Sequence, residues 1–196
     1  MRYINQLQYR HVPYHTHVKM DVPETEKLRN VARSGCGLCS ACMVVEQITN
    51  HSLDVEDCVK LSEECLANHG RGTDMEILGP VIAERFGMDY RATDNLCEVI
   101  RHLQAGGRAI VRAGVPEGQE IGLFARWQHF MLLVSTDGEE LCFMDPSYTA
   151  DKYTIPDRAG KVNTANAPFL YCNAEVLHEQ TVTEHKKYYL FSRKKK

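Results

Sequence analysis

The spacing of apolar residues changes half-way along the chain, from a helical period to short continuous runs. In the first half, apolar side chains recur three and four residues apart, which is typical of helices with one buried face. The segment over residues 72–87 begins with a capping box, Thr73 and Glu76, and contains Pro80 in its interior. The pattern predicts four helices, over residues 36–49, 52–70, 72–87 and 93–107.

The second half contains short apolar runs bounded by turn residues, which are typical of strands. Scattered tyrosines, valines and isoleucines around Pro13 also predict short edge strands and an extended arm over residues 2–19. The predicted strands of the second half are 108–114, 129–135, 140–145, 152–155 and 186–193. Helices followed by strands predict an α+β fold. Because the sequence contains no repeat and no low-complexity linker, we expect one domain over residues 1–196.

The composition narrows the class of protein. With 43% apolar residues, the chain of 196 residues can bury a core. Its net charge of −3 provides no basic field for nucleic acid, and the terminal RKKK run is expected to be a solvated tail. No apolar window is long enough for a membrane span, and the first residues lack the apolar centre of a signal peptide. We therefore expect a cytoplasmic protein with reduced cysteines; the sequence does not indicate its oligomeric state.

Three cysteines lie at two-residue gaps in the segment SGCGLCSACMVVEQ: Cys36, Cys39 and Cys42. A ferredoxin-type iron–sulfur site continues to a fourth cysteine followed by proline, and that continuation is missing here. A zinc site is disfavoured because a helix does not direct three thiols at this spacing toward one tetrahedral ion. A redox pair of Cys36 and Cys39 stays open, although no thioredoxin-like βαβ pattern surrounds it.

A nucleophilic role for Cys36 needs fewer additional residues than an iron–sulfur or zinc site. A thiol in the first turn of a helix lies at the positive end of the helix dipole, which stabilises its thiolate. The flanking Gly35 and Gly37 let a substrate carbonyl approach the backbone, so that the N–H of Cys36 can help to hold an oxyanion. On this interpretation, Cys39 and Cys42 are core thiols.

A cysteine nucleophile needs a histidine base and usually a third group that orients the imidazole. His129 opens the apolar strand 129–135, and Asp145 closes the strand that returns after a turn. A three-residue turn over 136–138, with left-handed Gly138, places residue 129 opposite residue 145. A two-residue turn would instead put Asp145 on the other face of the sheet. We predict the three-residue turn, because only that turn pairs His129 with Asp145.

Together these residues resemble the C39-like cysteine peptidases, a branch of the papain-like superfamily. Members carry a segment close to GCGPTSLAMVL, which residues 35–45 match at Gly35, Cys36, Gly37, Ser40, Met43 and Val44. The later motifs of the family follow in the same order, as Gly72-Thr73, 107–111, His129-Phe130 and Asp145-Pro146. The resemblance covers roughly residues 30–150, and the ordered set is more specific than any one motif.

This resemblance implies a papain-like fold, in which an N-terminal helical lobe carrying the nucleophile packs on a C-terminal antiparallel sheet. It implies that Cys36 is the nucleophile, that His129 acts as general base and then acid, and that Asp145 orients the imidazole. The implied reaction is the hydrolysis of a peptide or amide substrate through an acyl-enzyme, and it requires no cofactor and no metal.

The chain departs from the family pattern at three places. Leu38-Cys39 replaces Pro-Thr, and Gln128 replaces the glycine that often precedes the histidine. Asn30 stands about where the family has its oxyanion glutamine, while Gln6 lies far upstream. Because an asparagine amide can donate a similar hydrogen bond, Asn30 is the candidate oxyanion donor.

The missing glutamine also supports a different function, a papain-like scaffold with weakened catalysis that serves as a binding module. A thiol acyltransferase and a metal or iron–sulfur protein are further alternatives. The sequence specifies neither the substrate nor a role for residues 151–196.

Overall fold

The computed structural model describes residues 2–182 and 184–194. One 3-10 turn, Gln6–Gln8, precedes the helices of this part of the chain. The helices are α1 (Glu24–Lys27), α2 (Val31–Ser34), α3 (Cys36–Ile48), α4 (Val55–Glu64), α5 (Met75–Arg85), α6 (Leu96–Gln104) and α7 (Ala174–Glu179). The strands are β1 (Met88–Thr93), β2 (Arg108–Ala113), β3 (His129–Thr136), β4 (Glu140–Met144), β5 (Asn163–Asn166), β6 (Phe169–Asn173) and β7 (Tyr188–Arg193). Within these described ranges, no helix has the length and apolar character needed to cross a membrane.

The strands form one antiparallel sheet in the order β1-β7-β2-β3-β4-β6-β5. Successive side chains of a strand point to opposite faces of the sheet. In β3, Phe130 and Leu132 join a core cluster that also contains residues of α3, α4 and α5, whereas Met131 and Leu133 join a second cluster with residues of α6 and α7. Both faces of the central strands are therefore covered, which explains their continuous apolar runs.

Helix α3 runs through the middle of the first core cluster, and ten of its thirteen residues are buried. Its first turn approaches β3 closely because Gly37 has no side chain. A Cβ at that position would lie 2.8 Å from Thr73 Cβ and 3.2 Å from Phe130 Cδ2. This close approach brings Cys36, at the start of α3, to the same cleft as His129, at the start of β3.

The predicted mixture of helices and antiparallel strands is confirmed. The four predicted helices correspond to α3, α4, α5 and α6, and four predicted strands correspond to β2, β3, β4 and β7. Pro80 lies inside α5, as the sequence predicts. The sequence analysis missed β1, β5, β6 and the short helices α1, α2 and α7. Because β1 lies between α5 and α6, helices and strands are less separated along the chain than predicted.

The strands predicted over residues 152–155 and within residues 2–19 do not form. Residues 152–155 form turns, because the side chains of Lys152 and Tyr153 both turn toward Asp145. Residues 2–19 form no strand; besides the 3-10 turn they contain one isolated bridge, between Pro13 and Asn30. At residues 152–155, side-chain contacts with Asp145 replace strand pairing. Residues 12–16 instead run beside residues 27–31, where the N–H groups of Tyr14 and Thr16 donate to the carbonyls of Arg29 and Lys27.

The predicted capping box at the start of α5 is also wrong. The helix begins after Asp74, whose Oδ1 accepts the N–H of Glu76 at 2.9 Å. The hydroxyl of Thr73 lies instead 3.0 Å from the hydroxyl of the buried Tyr14.

The predicted solvated tail, the terminal RKKK run, falls largely beyond the sheet. Arg193 ends β7, and Lys195 and Lys196 lie outside the described residues.

We expect the substitution Gly37→Ala to lower the free energy of unfolding by about 1–3 kcal/mol, because the added methyl group overpacks the contact with Thr73 and Phe130. Urea unfolding followed by circular dichroism measures the change. Gly70→Ala is the matched control, since a Cβ at position 70 meets no atom within 4 Å. Equal stabilities of the two variants would show that α3 and β3 do not depend on this close approach.

Candidate active site

Cys36 lies in the first turn of α3, where it is partly exposed and lines an open cleft of about 310 Å³. Burial by itself raises the pKa of the Cys36 thiol. A hydrogen bond to His129, the charge of His129 and the backbone N–H groups of Phe130 and Gly37 outweigh burial, so the pKa lies below its ordinary value. A thiol with a lowered pKa has a larger thiolate fraction near neutral pH, and the thiolate is the nucleophilic form.

His129 and Asp145 form a buried hydrogen-bonded pair, with 2.6 Å between His129 Nε2 and Asp145 Oδ1. Burial and the charge of Lys152 lower the pKa of His129. The charge of Asp145, its hydrogen bond and the hydrogen bond with Cys36 outweigh them, so this pKa is raised. The imidazole therefore stays protonated to a higher pH than an ordinary histidine, which suits a thiolate–imidazolium pair with Cys36.

The turn that joins β3 to β4 differs from the predicted one. Thr136 pairs with Leu141, so the connection is longer than the predicted residues 136–138, and a bulge shifts the register between Leu133 and Ser135. Beyond the bulge, residue 133 pairs with residue 143, so His129 and Asp145 are diagonal rather than directly opposed neighbours. Gly138 has the predicted positive φ, +111°. The lengthened turn and the bulge together leave His129 and Asp145 on one face of the sheet.

The carboxylate of Asp145 is fully buried and accepts hydrogen bonds at both oxygens. Besides His129, Oδ1 accepts the backbone N–H of Ser147 at 2.8 Å and its hydroxyl at 3.1 Å. Oδ2 accepts Lys152 Nζ at 2.5 Å and the hydroxyl of Tyr153 at 2.6 Å. Burial raises the pKa of Asp145, but the charges and hydrogen bonds of Lys152 and His129 hold it well below its usual range. Asp145 is therefore a carboxylate at neutral pH.

Lys152 belongs to the site, and the sequence analysis missed it. Its side chain is only 10% exposed, and besides Asp145 its Nζ contacts Ser147 Oγ at 2.7 Å. Burial lowers the pKa of Lys152, and Asp145 opposes that effect. The sequence signal is weak: Lys152 and Tyr153 follow Asp145 closely enough for a turn to return them to the carboxylate.

Asn30, the candidate oxyanion donor of the sequence analysis, does not line the cleft. Its Oδ1 accepts the N–H of Arg33 at 3.1 Å, so the side chain caps helix α2 instead. Gln6, by contrast, lines the cleft. Its backbone N–H donates to the carbonyl of Pro146 at 2.7 Å, and its Nε2 donates to the carbonyl of Ala32 at 2.9 Å. The long separation along the sequence concealed this residue.

Cys39 and Cys42 are fully buried on α3. Burial raises the pKa of Cys39, and Cys42 lies beside the buried Cys58. In the part of the chain that the structure describes, no group of three histidine, cysteine, aspartate or glutamate side chains is arranged to hold a metal ion. Cys39 and Cys42 therefore have the surroundings of core thiols, and Cys36 alone of the three lines the cleft.

We expect Lys152→Met to raise the pKa of His129, because the charge of Lys152 lowers it. Asp145→Asn should lower the same pKa, because the carboxylate stabilises the imidazolium. Both changes in the His129 pKa are measured by following the NMR chemical shifts of its ring carbon and proton as a function of pH. Lys60→Met is the control, since Lys60 forms an exposed pair with Asp57. A His129 pKa that does not move in Lys152→Met would mean that this lysine does not act on the imidazole.

Comparison with solved structures finds a similar fold. The chain is similar to the crystal structure of a "putative C39-like peptidase" from Bacillus anthracis, with a TM-score of 0.58 and 12% sequence identity. The match covers 83% of this chain and 90% of that chain. No protein-family model matches the chain, and no curated protein matches it. At 12% sequence identity, the comparison supports a shared fold and not a shared activity. The fold of this chain is therefore similar to that of the "putative C39-like peptidase".

Proposed function

We propose that the protein is a cysteine-dependent hydrolase of peptide or amide bonds, built as one papain-like domain over residues 1–196. One observation carries the proposal: at a single cleft, a thiol of lowered pKa lies beside an imidazole that is bonded to a buried carboxylate. Nucleophile, base and orienting group within reach of one another are the requirement for covalent catalysis by cysteine. Cys36, His129 and Asp145 fill these three roles. The likeness to a C39-like peptidase fold supports the same class of reaction.

The reaction begins when the Cys36 thiolate attacks the carbonyl carbon of the scissile bond. As the tetrahedral intermediate collapses, the C–N bond breaks and the His129 imidazolium donates its proton to the leaving amine. A thioester remains on Cys36. Water then attacks the thioester while His129 accepts a proton from it, and the C–S bond breaks to release the carboxylic acid. The thiolate and the imidazolium are restored.

Asp145 orients the imidazole and stabilises its protonated form. Because Nε2 of His129 is bonded to Asp145, Nδ1 is the ring nitrogen left for the thiol and the leaving group. The low pKa of Asp145 keeps the carboxylate ionised throughout the cycle. Asp145 therefore remains a fixed negative charge, and the protons move between His129 and the reacting groups.

Two groups are suited to hold the oxyanion of the tetrahedral intermediate. One is the backbone N–H of Cys36, since N–H groups in the first turn of a helix have no intrahelical partner. The other is the side-chain amide of Gln6, which lines the cleft. One hydrogen of Gln6 Nε2 bonds to Ala32, and an amide NH₂ group has a second hydrogen to donate.

We expect Cys36 to be alkylated by iodoacetamide at pH 7 about tenfold or more faster than the other thiols, because an ordinary thiol is only a few per cent ionised at that pH. Mass spectrometry of the digested protein gives the rate at each cysteine. Cys97 is the internal control: it is more exposed than Cys36, so accessibility cannot explain a faster Cys36.

His129→Ala should remove the rate advantage of Cys36, whereas the substitution of the exposed His51 by alanine should not. If Cys36 reacts no faster than Cys97 in the native protein, the proposed nucleophile is wrong and the binding-module interpretation gains support. A screen of fluorogenic peptides, with Cys36→Ala as the inactive control, then supplies a substrate.

With such a substrate, Gln6→Ala should lower kcat by about 10²–10³-fold with little change in KM, because an oxyanion donor acts mainly in the transition state. Asn30→Ala should leave kcat unchanged and lower the free energy of unfolding by about 1 kcal/mol, the usual cost of losing a helix cap. Steady-state kinetics and urea unfolding of the two variants distinguish these roles. A loss of kcat in Asn30→Ala, with Gln6→Ala unaffected, would reverse the assignment.

A further inference from the structure

The cleft next to Cys36 is lined by basic side chains and by no acidic ones. Arg33, Arg126, Lys152 and Arg158 contribute to its wall. The whole chain, by contrast, has a net charge of −3. The cleft that holds the proposed nucleophile is therefore basic, although the chain as a whole is slightly acidic.

Most of this charge is not neutralised by the protein. Lys152 forms an ion pair with Asp145. In the described part of the chain, Arg33, Arg126 and Arg158 have no carboxylate within 4.0 Å. Three unpaired guanidinium groups thus face one cleft. Clefts of one charge sign concentrate ligands of the opposite sign.

Arg158 provides the second, more specific observation. The residue is only 7% exposed, and its buried Nε has no hydrogen-bond partner. The Nη1 atom of Arg158 donates one long hydrogen bond, 3.4 Å, to the carbonyl of Lys152. The backbone holds this position in a turn, since the N–H of Arg158 donates to the carbonyl of Ile155 at 2.9 Å.

A buried guanidinium without an ionic partner is costly, because burial removes its hydration and one long contact with a carbonyl replaces little of it. The planar group has five N–H donors in a fork that fits the two oxygens of a carboxylate or phosphate. An anion bound to this guanidinium in the cleft would compensate the buried charge. Arg33 and Arg126, which are exposed, would add long-range attraction.

We infer that the cleft binds substrates that carry a carboxylate or phosphate group near the carbonyl attacked by Cys36. Arg158 binds the anionic group, and Arg33 and Arg126 attract it from the rim of the cleft. This inference rests on the proposed function, since it names the class of substrate on which the Cys36 thiolate acts. The substrate is thus an acidic peptide or amide rather than a neutral one.

A pair of alkylating reagents tests the inference without a known substrate. Iodoacetamide is neutral and iodoacetate carries a carboxylate, and in both reactions the thiolate displaces iodide to form a thioether. The measured quantity is the iodoacetate-to-iodoacetamide rate ratio at Cys36, referred to the same ratio for free cysteine in the same buffer. We expect the ratio at Cys36 to exceed that reference by about tenfold at low salt and to fall as salt is added.

The arginine variants assign the effect to the cleft. Arg158→Gln should reduce the ratio by about fivefold, because a buried charge acts strongly on a nearby anion. Arg126→Gln and Arg33→Gln should each reduce it by about twofold, because water and salt screen exposed charges. Arg101→Gln, on the exposed part of α6, is the matched control and should leave the ratio unchanged. If Arg158→Gln does not fold, Arg126→Gln and Arg33→Gln still test the inference. A Cys36 ratio equal to that of free cysteine, or one unchanged in these three variants, would overturn the inference.

A second measurement does not depend on the reactivity of Cys36. In the Cys36→Ser protein, the NMR signal of the Arg158 Nε–H, assigned by its loss in Arg158→Gln, is followed while succinate or inorganic phosphate is added. We expect a saturable shift with at least one anion, and the one that binds more tightly identifies the source as carboxylate or phosphate. Chloride at equal ionic strength is the control. No saturable shift with either anion would contradict the inference, whereas saturable binding together with an unreactive Cys36 would refute only the proposed hydrolase.

Discussion

The site depends on a negative charge that has no access to water. Asp145 lies at the end of β4 with its side chain fully buried, and such a charge is tolerated only when hydrogen bonds and opposite charges replace its hydration. Five donors from four residues meet this requirement: His129, Ser147 through both its N–H and its hydroxyl, Lys152 and Tyr153. The chain that follows β4 therefore has to fold back over the carboxylate. The strand predicted over residues 152–155 does not form, because these residues turn back toward the carboxylate.

The backbone around Asp145 also connects the N-terminal segment to the cleft. The hydroxyl of Tyr3 donates to the backbone carbonyl of Asp145 at 2.5 Å, and the N–H of Gln6 donates to the next carbonyl, of Pro146, at 2.7 Å. Asn5 donates to the carbonyl of Tyr148 at 2.9 Å. The N-terminal segment is thus held by the backbone around Asp145, and this attachment delivers the amide of Gln6 to the cleft. One buried carboxylate and its surrounding backbone organise the imidazole, the lysine and the candidate oxyanion donor.

The parts of the fold that the sequence predicts are those with a local physical signal. The helical period through Cys36 and the continuous apolar run after His129 depend on neighbours in sequence, and both correctly predict an element, α3 and β3. The pairing of His129 with Asp145 was also accessible, because a hairpin brings its two strands together within a short segment. Its register was not, because the bulge between Leu133 and Ser135 has no recognisable sequence signature. Gln6 and Lys152 act through contacts between distant or irregular segments, and propensity and periodicity do not report such contacts.

The lowered pKa of Cys36 has a consequence for folding. Its main favourable cause is His129, which lies on β3, and the imidazole is in turn oriented from the end of β4. Contacts between segments so far apart in sequence form late in folding, because closing long loops costs conformational entropy before any contact compensates it. In a chain that has formed α3 but has not yet docked β3, the helix N-terminus alone stabilises the Cys36 thiolate, and the larger effect of His129 is missing. The low pKa of the Cys36 thiol is therefore a property of the completed tertiary structure rather than of helix α3 alone.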